Sequence, residues 1–273
     1  MGEPIHIAMV GGGVMGGALV EGFLEQDIDG RPVSVRIVES DPTRAQSWSE
    51  REGIDVVGLV DATRGADIVF LAVKPHQIID VLDQMQASLS PHTVVASIAA
   101  GVPVATLRAH LPASTAVIRV MPNTPVRVGK GVMGLVASPE CSARDTRLAT
   151  RLLESSGLVV EIPEEQLDAL TATSGSGPAY VFYLAEAMRE GAKQLGLPAD
   201  VAAELVAETI TGAAELLAAE PGNAQGLRES VTSKGGTTAA AIAVFDEADM
   251  RGTIARAMRA NVERSREMAD DLD

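Results

Sequence analysis

The chain has 273 residues, 46% of them apolar and 22% charged. That allows one large domain or two modest ones with a sizeable core, and it excludes global disorder. Twenty-two Lys and Arg stand against 37 Asp and Glu, a net charge of −15, and aromatic residues make up 3%; binding to a phosphate backbone or stacking on bases is therefore not expected. A single cysteine, Cys141, excludes an internal disulfide and a cysteine-cluster metal site, and no metal is expected.

The start, Met1-Gly2-Glu3-Pro4, carries no basic run, and Gly2 opens no acylation motif. Residues 5–20 are apolar but interrupted by five glycines, and no stretch supplies the roughly 18 continuous apolar residues of a spanning helix. The expectation is a soluble, cytoplasmic protein.

Short apolar runs rich in Val and Ile alternate with helical patterns up to residue 163. Strands are predicted at Ile5–Val10, Ser34–Val38, Ile68–Val73, Val94–Ile98 and Ala116–Val120, with Val132–Ala137 and Leu158–Ile162 extending the set. Strands alternating with helices imply βαβ units and a parallel sheet. After Pro163 the strand signals stop and Ala, Leu, Glu and Met dominate, with breaks at Gly175–Pro178, Gly196–Pro198, Pro221–Gly226 and Gly235–Gly236. The fold class expected is α/β: a Rossmann-type doubly wound sheet over 1–163, then an all-α domain over 164–273. A helix over Ala199–Ala219 is alanine-rich on several faces, as in a helix covered from more than one side. A homodimer through this second domain is the natural expectation.

The first chemical motif follows the first strand directly. Gly11, Gly13 and Gly16 satisfy G-x-G-x-x-G across Gly11-Gly12-Gly13-Val14-Met15-Gly16. The first glycine permits the tight turn, the second admits a pyrophosphate to the backbone, and the third lets the helix lie close to the strand. The free N–H groups of the helix start then face the phosphates. The next strand ends Val38-Glu39-Ser40-Asp41-Pro42-Thr43-Arg44. Glu39 lies where an acid holds the ribose 2′-hydroxyl of NAD, whereas Ser40 and Arg44 suit the 2′-phosphate of NADP; Glu39 as a plain solvated strand-end acid is a third reading.

Further motifs fall at strand ends, where open α/β sheets place their ligands. They are Ala72-Val73-Lys74-Pro75, Ser97-Ile98-Ala99-Ala100-Gly101 and Arg119-Val120-Met121-Pro122-Asn123-Thr124-Pro125. In the helical half, Thr173-Ser174-Gly175-Ser176-Gly177-Pro178-Ala179-Tyr180 precedes a long helix, its glycines serving a ligand or a close helix crossing. Thr232-Ser233-Lys234-Gly235-Gly236-Thr237-Thr238 opens an Ala-rich helix. Two hydroxyls and free N–H groups there make a carboxylate site, unless Thr237 or Thr238 simply caps the helix.

Taken together, these blocks resemble pyrroline-5-carboxylate reductase over nearly the whole chain, in the family's order. Asp168-Ala-Leu-Thr…Gly175-Ser-Gly-Pro-Ala-Tyr180 and Val231…Gly235-Gly236-Thr237-Thr238 are its most specific parts. The resemblance implies hydride transfer from NAD(P)H to the imine carbon of 1-pyrroline-5-carboxylate, giving L-proline in the last step of proline biosynthesis. It implies a helical dimerisation domain with interlocked helices, an active site completed by the partner subunit, and rings of dimers, commonly decamers.

By resemblance, the substrate carboxylate falls to Ser233, Gly235, Gly236 and Thr237. Thr238 contacts the ring nitrogen as the catalytic hydroxyl, and Glu164 faces that nitrogen, although a first-turn helix acid is an equal reading of Glu164. Gly11, Gly12, Gly13, Val14, Met15 and Gly16 take the pyrophosphate. Glu39 and Ser40 take the adenosine ribose end. Ala72, Val73, Lys74, Pro75, Ala99, Ala100 and Gly101 line the ribose–nicotinamide site, and Met121, Asn123 and Thr124 shape the transfer pocket.

Two positions depart from the family pattern. Lys234 stands where many members carry proline, and Glu39 stands where a small or basic residue is common, so NAD is set beside the family's NADP. A protonated cyclic imine needs orientation more than a strong acid, in keeping with four histidines, none in the two helical-half blocks. His6 lies within the first strand and reads as structural; His76 follows Lys74-Pro75.

Three alternatives are weighed. A β-hydroxyacid dehydrogenase has a similar plan, but its lysine four residues past the second glycine motif is Val181 here. The others are a reductase of another cyclic imine and a non-catalytic NAD(P)-binding regulator.

Overall fold

The structure, a computed structural model, describes residues 2–270; the outermost ends of the two expected domains, Met1 and 271–273, lie outside the described residues. The chain divides into two compact units, one of residues 1–175 with 261–273, the other of 176–260.

The first unit holds one sheet. Its strands are β1 (Ile5–Val10), β2 (Asp27–Ile28), β3 (Arg31–Val38), β4 (Ile54–Val56), β5 (Ile68–Leu71), β6 (Val94–Ser97), β7 (Ala116–Met121), β8 (Gly131–Ala137) and β9 (Gly157–Glu161). The main helices of this unit are α1 (Val14–Leu24), α2 (Pro42–Ser49), α3 (Leu59–Thr63), α4 (Ile78–Met85), α5 (Val104–Ala109), α6 (Ala143–Leu153) and α7 (Leu167–Leu170). The strands run β4-β3-β1-β5-β6-β7 in parallel, then β8 antiparallel to β7 and β9 parallel to β8. The chain builds outward from β1 to β4, returns to the other side of β1 with β5, and so creates a reversal point between β1 and β5. In such sheets the ligand crevice opens there, beyond the carboxyl ends of the strands.

Both faces of the sheet are covered, which explains why β5 (IVFL) and β6 (VVAS) are apolar runs without alternation and wholly buried. One face packs Met9, Leu19, Phe23, Ile37, Phe70 and Leu152 together. The Phe23 and Phe70 rings lie 4.9 Å apart and tilted, an arrangement aromatic pairs favour. The other face packs Val10, Val69, Leu71, Ile78, Leu82 and Leu107. Each such side chain contributes about 1.5–3 kcal/mol on full burial.

Two strands were not expected from sequence. β2 pairs with β3 antiparallel, with Ile28 opposite Arg31. The two residues between them, Asp29 (φ 55) and Gly30 (φ 78), both sit in left-handed geometry, the requirement of the tight hairpin turn that Asp-Gly favours. β3 therefore begins at Arg31, three residues before the sequence expectation. β4 has only three residues, too few to show a period.

The second unit contains α8 (Gly177–Gln194), α9 (Ala199–Ala219), α10 (Ala224–Ser230), α11 (Thr237–Glu247) and the first half of α12 (Met250–Asp270). Gly196 (φ 97) ends α8, with its N–H on the Lys193 carbonyl and the Leu197 N–H on that of Ala192, the usual glycine stop. α9 covers the residues the sequence assigns to it. Within a single chain it buries only Ala202 and Val206 fully. Phe182, Tyr183, Leu195, Leu205 and Leu216 stay exposed, Leu195 at 89%, an apolar area larger than isolated surface residues explain.

Candidate active site

In the first unit, the reversal point is built from the β1–α1 turn and the end of β5. Gly11 has φ +104, and a Cβ there would lie 2.7 Å from the Ala72 carbonyl oxygen. A Cβ at Gly16 would overlap the Gly11 carbonyl oxygen and come within 2.9 Å of Ala72 Cβ. Both positions therefore need glycine for close packing. Gly13 is different: its φ is −71, and nothing lies within 4 Å of a Cβ placed on it. The middle glycine opens onto free space. Gly13 also caps α1 without a side-chain bond, and the first intrahelical N–H bond is Gly17 to Gly13. The N–H groups of Val14, Met15 and Gly16 thus face outward at the positive end of the helix. These residues fit the pyrophosphate of a dinucleotide.

Glu39 is no solvated strand-end acid. Its side chain is 4% exposed. Oε1 accepts from the Asp41 N–H at 2.8 Å and Arg44 Nη2 at 3.1 Å; Oε2 accepts from the Gly12 N–H at 3.1 Å and Arg44 Nε at 3.1 Å. Burial alone pushes this carboxyl up, but the Arg44 guanidinium and the two backbone N–H groups together hold it below the ordinary carboxylate value. Asp41 caps α2, accepting from the Arg44 N–H at 2.9 Å, and Pro42 opens the helix. Ser40 is exposed.

Trp48 completes this corner. Its indole N–H donates to the Gly12 carbonyl at 3.0 Å, and its ring fills the space a Cβ on Gly12 or Gly17 would take. The sequence reading overlooked Trp48; its signal was a lone indole in a helix otherwise polar in composition.

The other strand ends follow the sheet order. The Ala72 N–H bonds the Val10 carbonyl at 2.8 Å, and the Ile98 N–H bonds that of Leu71 at 3.0 Å. This puts Ala72–Pro75 between the glycine turn and the Ala99–Gly101 turn. Val73 is half-buried, Lys74 exposed, and Pro75 opens a short 3-10 turn closed by Gln77 Oε1 on the Lys74 N–H at 3.2 Å. Ala99 is buried, Ala100 exposed, and Gly101 takes φ 79. After β7, Met121 Cε approaches the Gly175 position, and Thr124 is exposed. Asn123 is 6% exposed and uses both ends of its amide internally: Oδ1 accepts from the Val132 N–H at 2.8 Å, and Nδ2 donates to the Ser174 carbonyl at 2.9 Å.

Glu164 Oε1 accepts from the Val104 N–H at 3.0 Å and from Arg119 Nη1 at 2.8 Å. It thus ties β7 to the first turn of α5, the helix following the Ala99–Gly101 turn. A cavity of about 250 Å³ beside it is lined by Gly101, Arg119, Glu164, Asp168 and Arg266, among others. Arg119 was also missed as a site residue; a charge inside an otherwise apolar strand was the available signal. His6 Nδ1 pairs with Ser34 Oγ at 2.7 Å, a structural place within the sheet, and His76 is exposed.

In the second unit, α11 begins at Thr237 with Gly236 as its cap and no side-chain cap bond. Neither threonine caps the helix. Gly235 takes φ 73, left-handed geometry that favours glycine, whereas Gly236 has φ −80 and a Cβ on it would only require Ser233 Oγ to turn aside. The Gly236 N–H bonds the Ser233 carbonyl at 3.0 Å, and the Ala240 N–H bonds that of Gly236 at 3.2 Å. The N–H groups of Thr237, Thr238 and Ala239 are left outward, with two exposed threonine hydroxyls beside them, an anion-receptive helix start. Ser233 and Lys234 are exposed at its rim. In the preceding block, Pro178 lies in the first turn of α8.

Comparison with known proteins agrees with both halves. Residues 164–268 match the family model described as pyrroline-5-carboxylate reductase dimerisation. Residues 6–101 match the model described as NADP oxidoreductase coenzyme F420-dependent. A pyrroline-5-carboxylate reductase of Corynebacterium melassecola is 38% identical over 266 residues, covering 96% of this chain and 98% of that protein. The solved structure of a pyrroline-5-carboxylate reductase from Coxiella burnetii superposes with a TM-score of 0.89 at 33% identity, covering 97% of this chain and 98% of the other. That of Plasmodium falciparum pyrroline carboxylate reductase, with NADP bound, superposes with a TM-score of 0.83 at 26% identity, covering 97% and 98%. The chain belongs to the pyrroline-5-carboxylate reductase family.

Proposed function

We propose that the chain reduces the C=N bond of 1-pyrroline-5-carboxylate to give L-proline, the last step of proline biosynthesis. The observation that carries this reading is the pairing of an open dinucleotide cradle in one unit with an uncapped, hydroxyl-flanked helix start in the other, in a chain of this family. When bound, a reduced nicotinamide supplies the hydride. The chain itself binds and orients the reactants.

Gly11–Gly16 hold the pyrophosphate on the α1 N–H groups. Ala72–Pro75, Ala99–Gly101, Met121 and Thr124 wall the nicotinamide end, and Asn123 holds that wall in shape through its two internal bonds. Ser233, Gly235, Gly236 and Thr237 receive the substrate carboxylate at the positive end of α11. The Thr238 hydroxyl contacts the ring nitrogen, which stays protonated as the imine becomes an amine. Such a site works by orientation and by matching charge at the carboxylate. Glu164 is retained as an acid near the substrate nitrogen; with Oε1 engaged by Arg119 and Val104, only Oε2 remains for that task.

The enzyme is an NAD(P)H-dependent oxidoreductase. NADP(H) is the proposed partner, as in the Plasmodium falciparum relative, with NAD(H) the alternative that Glu39 raises. The proposed boundary between the cofactor domain and the dimerisation domain is 163/164, just after the last strand, β9. A homodimer through the helical domain covers the exposed faces of α8 and α9, and rings of dimers, a decamer among them, are the proposed higher assembly. Among the described residues, no helix is long and apolar enough to cross a membrane. The proposed location is the cytoplasm, which suits a chain whose lone Cys141 thiol bonds the Val117 carbonyl at 3.2 Å.

The test is oxidation of NADPH and NADH, side by side, with 1-pyrroline-5-carboxylate and its six-membered analogue. Turnover with the five-membered ring supports the reading. Cofactor binding without turnover on either ring would favour the non-catalytic alternative.

A further inference from the structure

We propose that Arg44 selects between phosphorylated and unphosphorylated dinucleotide, and that Glu39 is its built-in competitor instead of a ligand for the ribose. The proposal rests on the reading of Gly11–Gly16 as a dinucleotide cradle and deepens it.

A carboxylate offers about four acceptor positions. Glu39 fills all four: the Asp41 and Gly12 N–H groups take one each, and Arg44 takes two, as a fork. With its side chain 4% exposed, it has no free face for a ribose diol. Any incoming hydroxyl must displace one of these donors.

The donors are unequal. Two are backbone groups fixed by the start of α2 and by the glycine turn. The third is a side chain 53% exposed, on a long stem rooted in the first turn of α2. Only Arg44 can leave cheaply. When it does, Glu39 keeps two backbone donors, so the buried carboxylate is not orphaned. A guanidinium also matches a phosphate as well as it matches a carboxylate, by the same paired geometry. A 2′-phosphate at the end of β3, beside exposed Ser40, is the alternative partner.

The local charge makes this a competition. With Arg44 on Glu39, the corner holds two carboxylates, since Asp41 Oδ2 lies 3.6 Å from Arg44 Nη1, against one guanidinium. That surplus negative charge repels a 2′-phosphate unless Arg44 turns to meet it. An unphosphorylated cofactor leaves the clasp closed.

Trp48 reports binding without any catalytic step, because it is the only tryptophan and touches the glycine turn directly. Dissociation constants for NADP⁺, NAD⁺, adenosine 2′,5′-bisphosphate and 5′-AMP are measured on the full chain by Trp48 fluorescence and by calorimetry. Arg44→Ala is expected to weaken NADP⁺ and the bisphosphate at least tenfold, and NAD⁺ and 5′-AMP less than threefold; Arg44→Lys recovers part of the loss. Glu39→Gln is expected to improve NADP⁺ at least threefold relative to NAD⁺, and the improvement should vanish in the double variant.

Equal weakening of both nucleotides by Arg44→Ala would mean that Arg44 only braces the turn, and would overturn the proposal. So would an unchanged NADP⁺ to NAD⁺ ratio in Glu39→Gln. If the unsubstituted chain binds neither nucleotide, the cradle reading falls and the proposal with it. Tight binding with no Arg44 dependence removes the proposal alone.

Discussion

Gly13→Ala separates folding from cofactor binding at the glycine turn. A Cβ at position 13 meets nothing within 4 Å, and the native φ of −71 is open to alanine. Replacing glycine at a helix cap costs about 0.5–1.5 kcal/mol, and reduced freedom of the unfolded chain returns about 0.4–1 kcal/mol. The net change is about 0.5 kcal/mol, a melting shift of about 1–2 °C. Binding should respond far more, because the methyl fills the space through which a phosphate reaches the α1 N–H groups. Loss of one charge-assisted hydrogen bond is worth about 1.5–3 kcal/mol, so the NADPH dissociation constant should rise about 10-fold to 150-fold. Trp48 fluorescence titration beside a thermal melt reads both quantities. Gly16→Ala is the contrast: its Cβ runs into the Gly11 carbonyl, so it should lose about 1–3 kcal/mol of stability as well. Native-like NADPH affinity in Gly13→Ala would refute the placement of the pyrophosphate.

Three further outcomes are expected. Thr238→Ala should lower kcat about tenfold or more, the size of one hydrogen bond made in the transition state; steady-state kinetics with unchanged turnover would remove Thr238 from the mechanism. The Glu39 carboxyl is held below its ordinary value of 4.5 in the folded chain, so its stabilising effect is whole above that pH and fades as pH falls below it. The gap between the urea midpoints of the unsubstituted chain and Glu39→Gln should therefore hold from pH 7 down to about 4.5 and close only as pH falls below that; a gap that stays constant below pH 4.5 would contradict the clasp. Sedimentation at micromolar concentration should find dimers or larger species, given Phe182, Tyr183 and Leu195 in the open; a stable monomer would leave that surface unexplained.

Sequence made the parallel core legible because buried strands such as β5 and β6 read as short Val- and Ile-rich runs between turn residues. Helix α9 was legible to the residue, bounded by Pro198 and the Pro221-Gly222 break. What escaped was short or depended on long-range contact. β4 has three residues, and β2 has two, although Asp29-Gly30 carried the hairpin signal. The glycine positions were readable as a pattern, but only the structure separates Gly13, which faces open space, from Gly11 and Gly16, which face backbone. Glu39 was recognised by spacing, yet its four bonds join residues 12, 39, 41 and 44 across two loops, which no spacing rule encodes. Arg119 stood out as a charge in an apolar strand, but its bond to Glu164 spans 45 residues of sequence, and that pairing was invisible for the same reason.

The central claim is hydride delivery to a small anionic cyclic imine. The direct measurement is incubation with nicotinamide cofactor deuterated at the transferring C4 position and 1-pyrroline-5-carboxylate, with the product analysed by mass and NMR. The account predicts L-proline carrying one deuterium at the former imine carbon, formed one for one with oxidised cofactor. Proline without the label, or cofactor oxidised without proline, would contradict it.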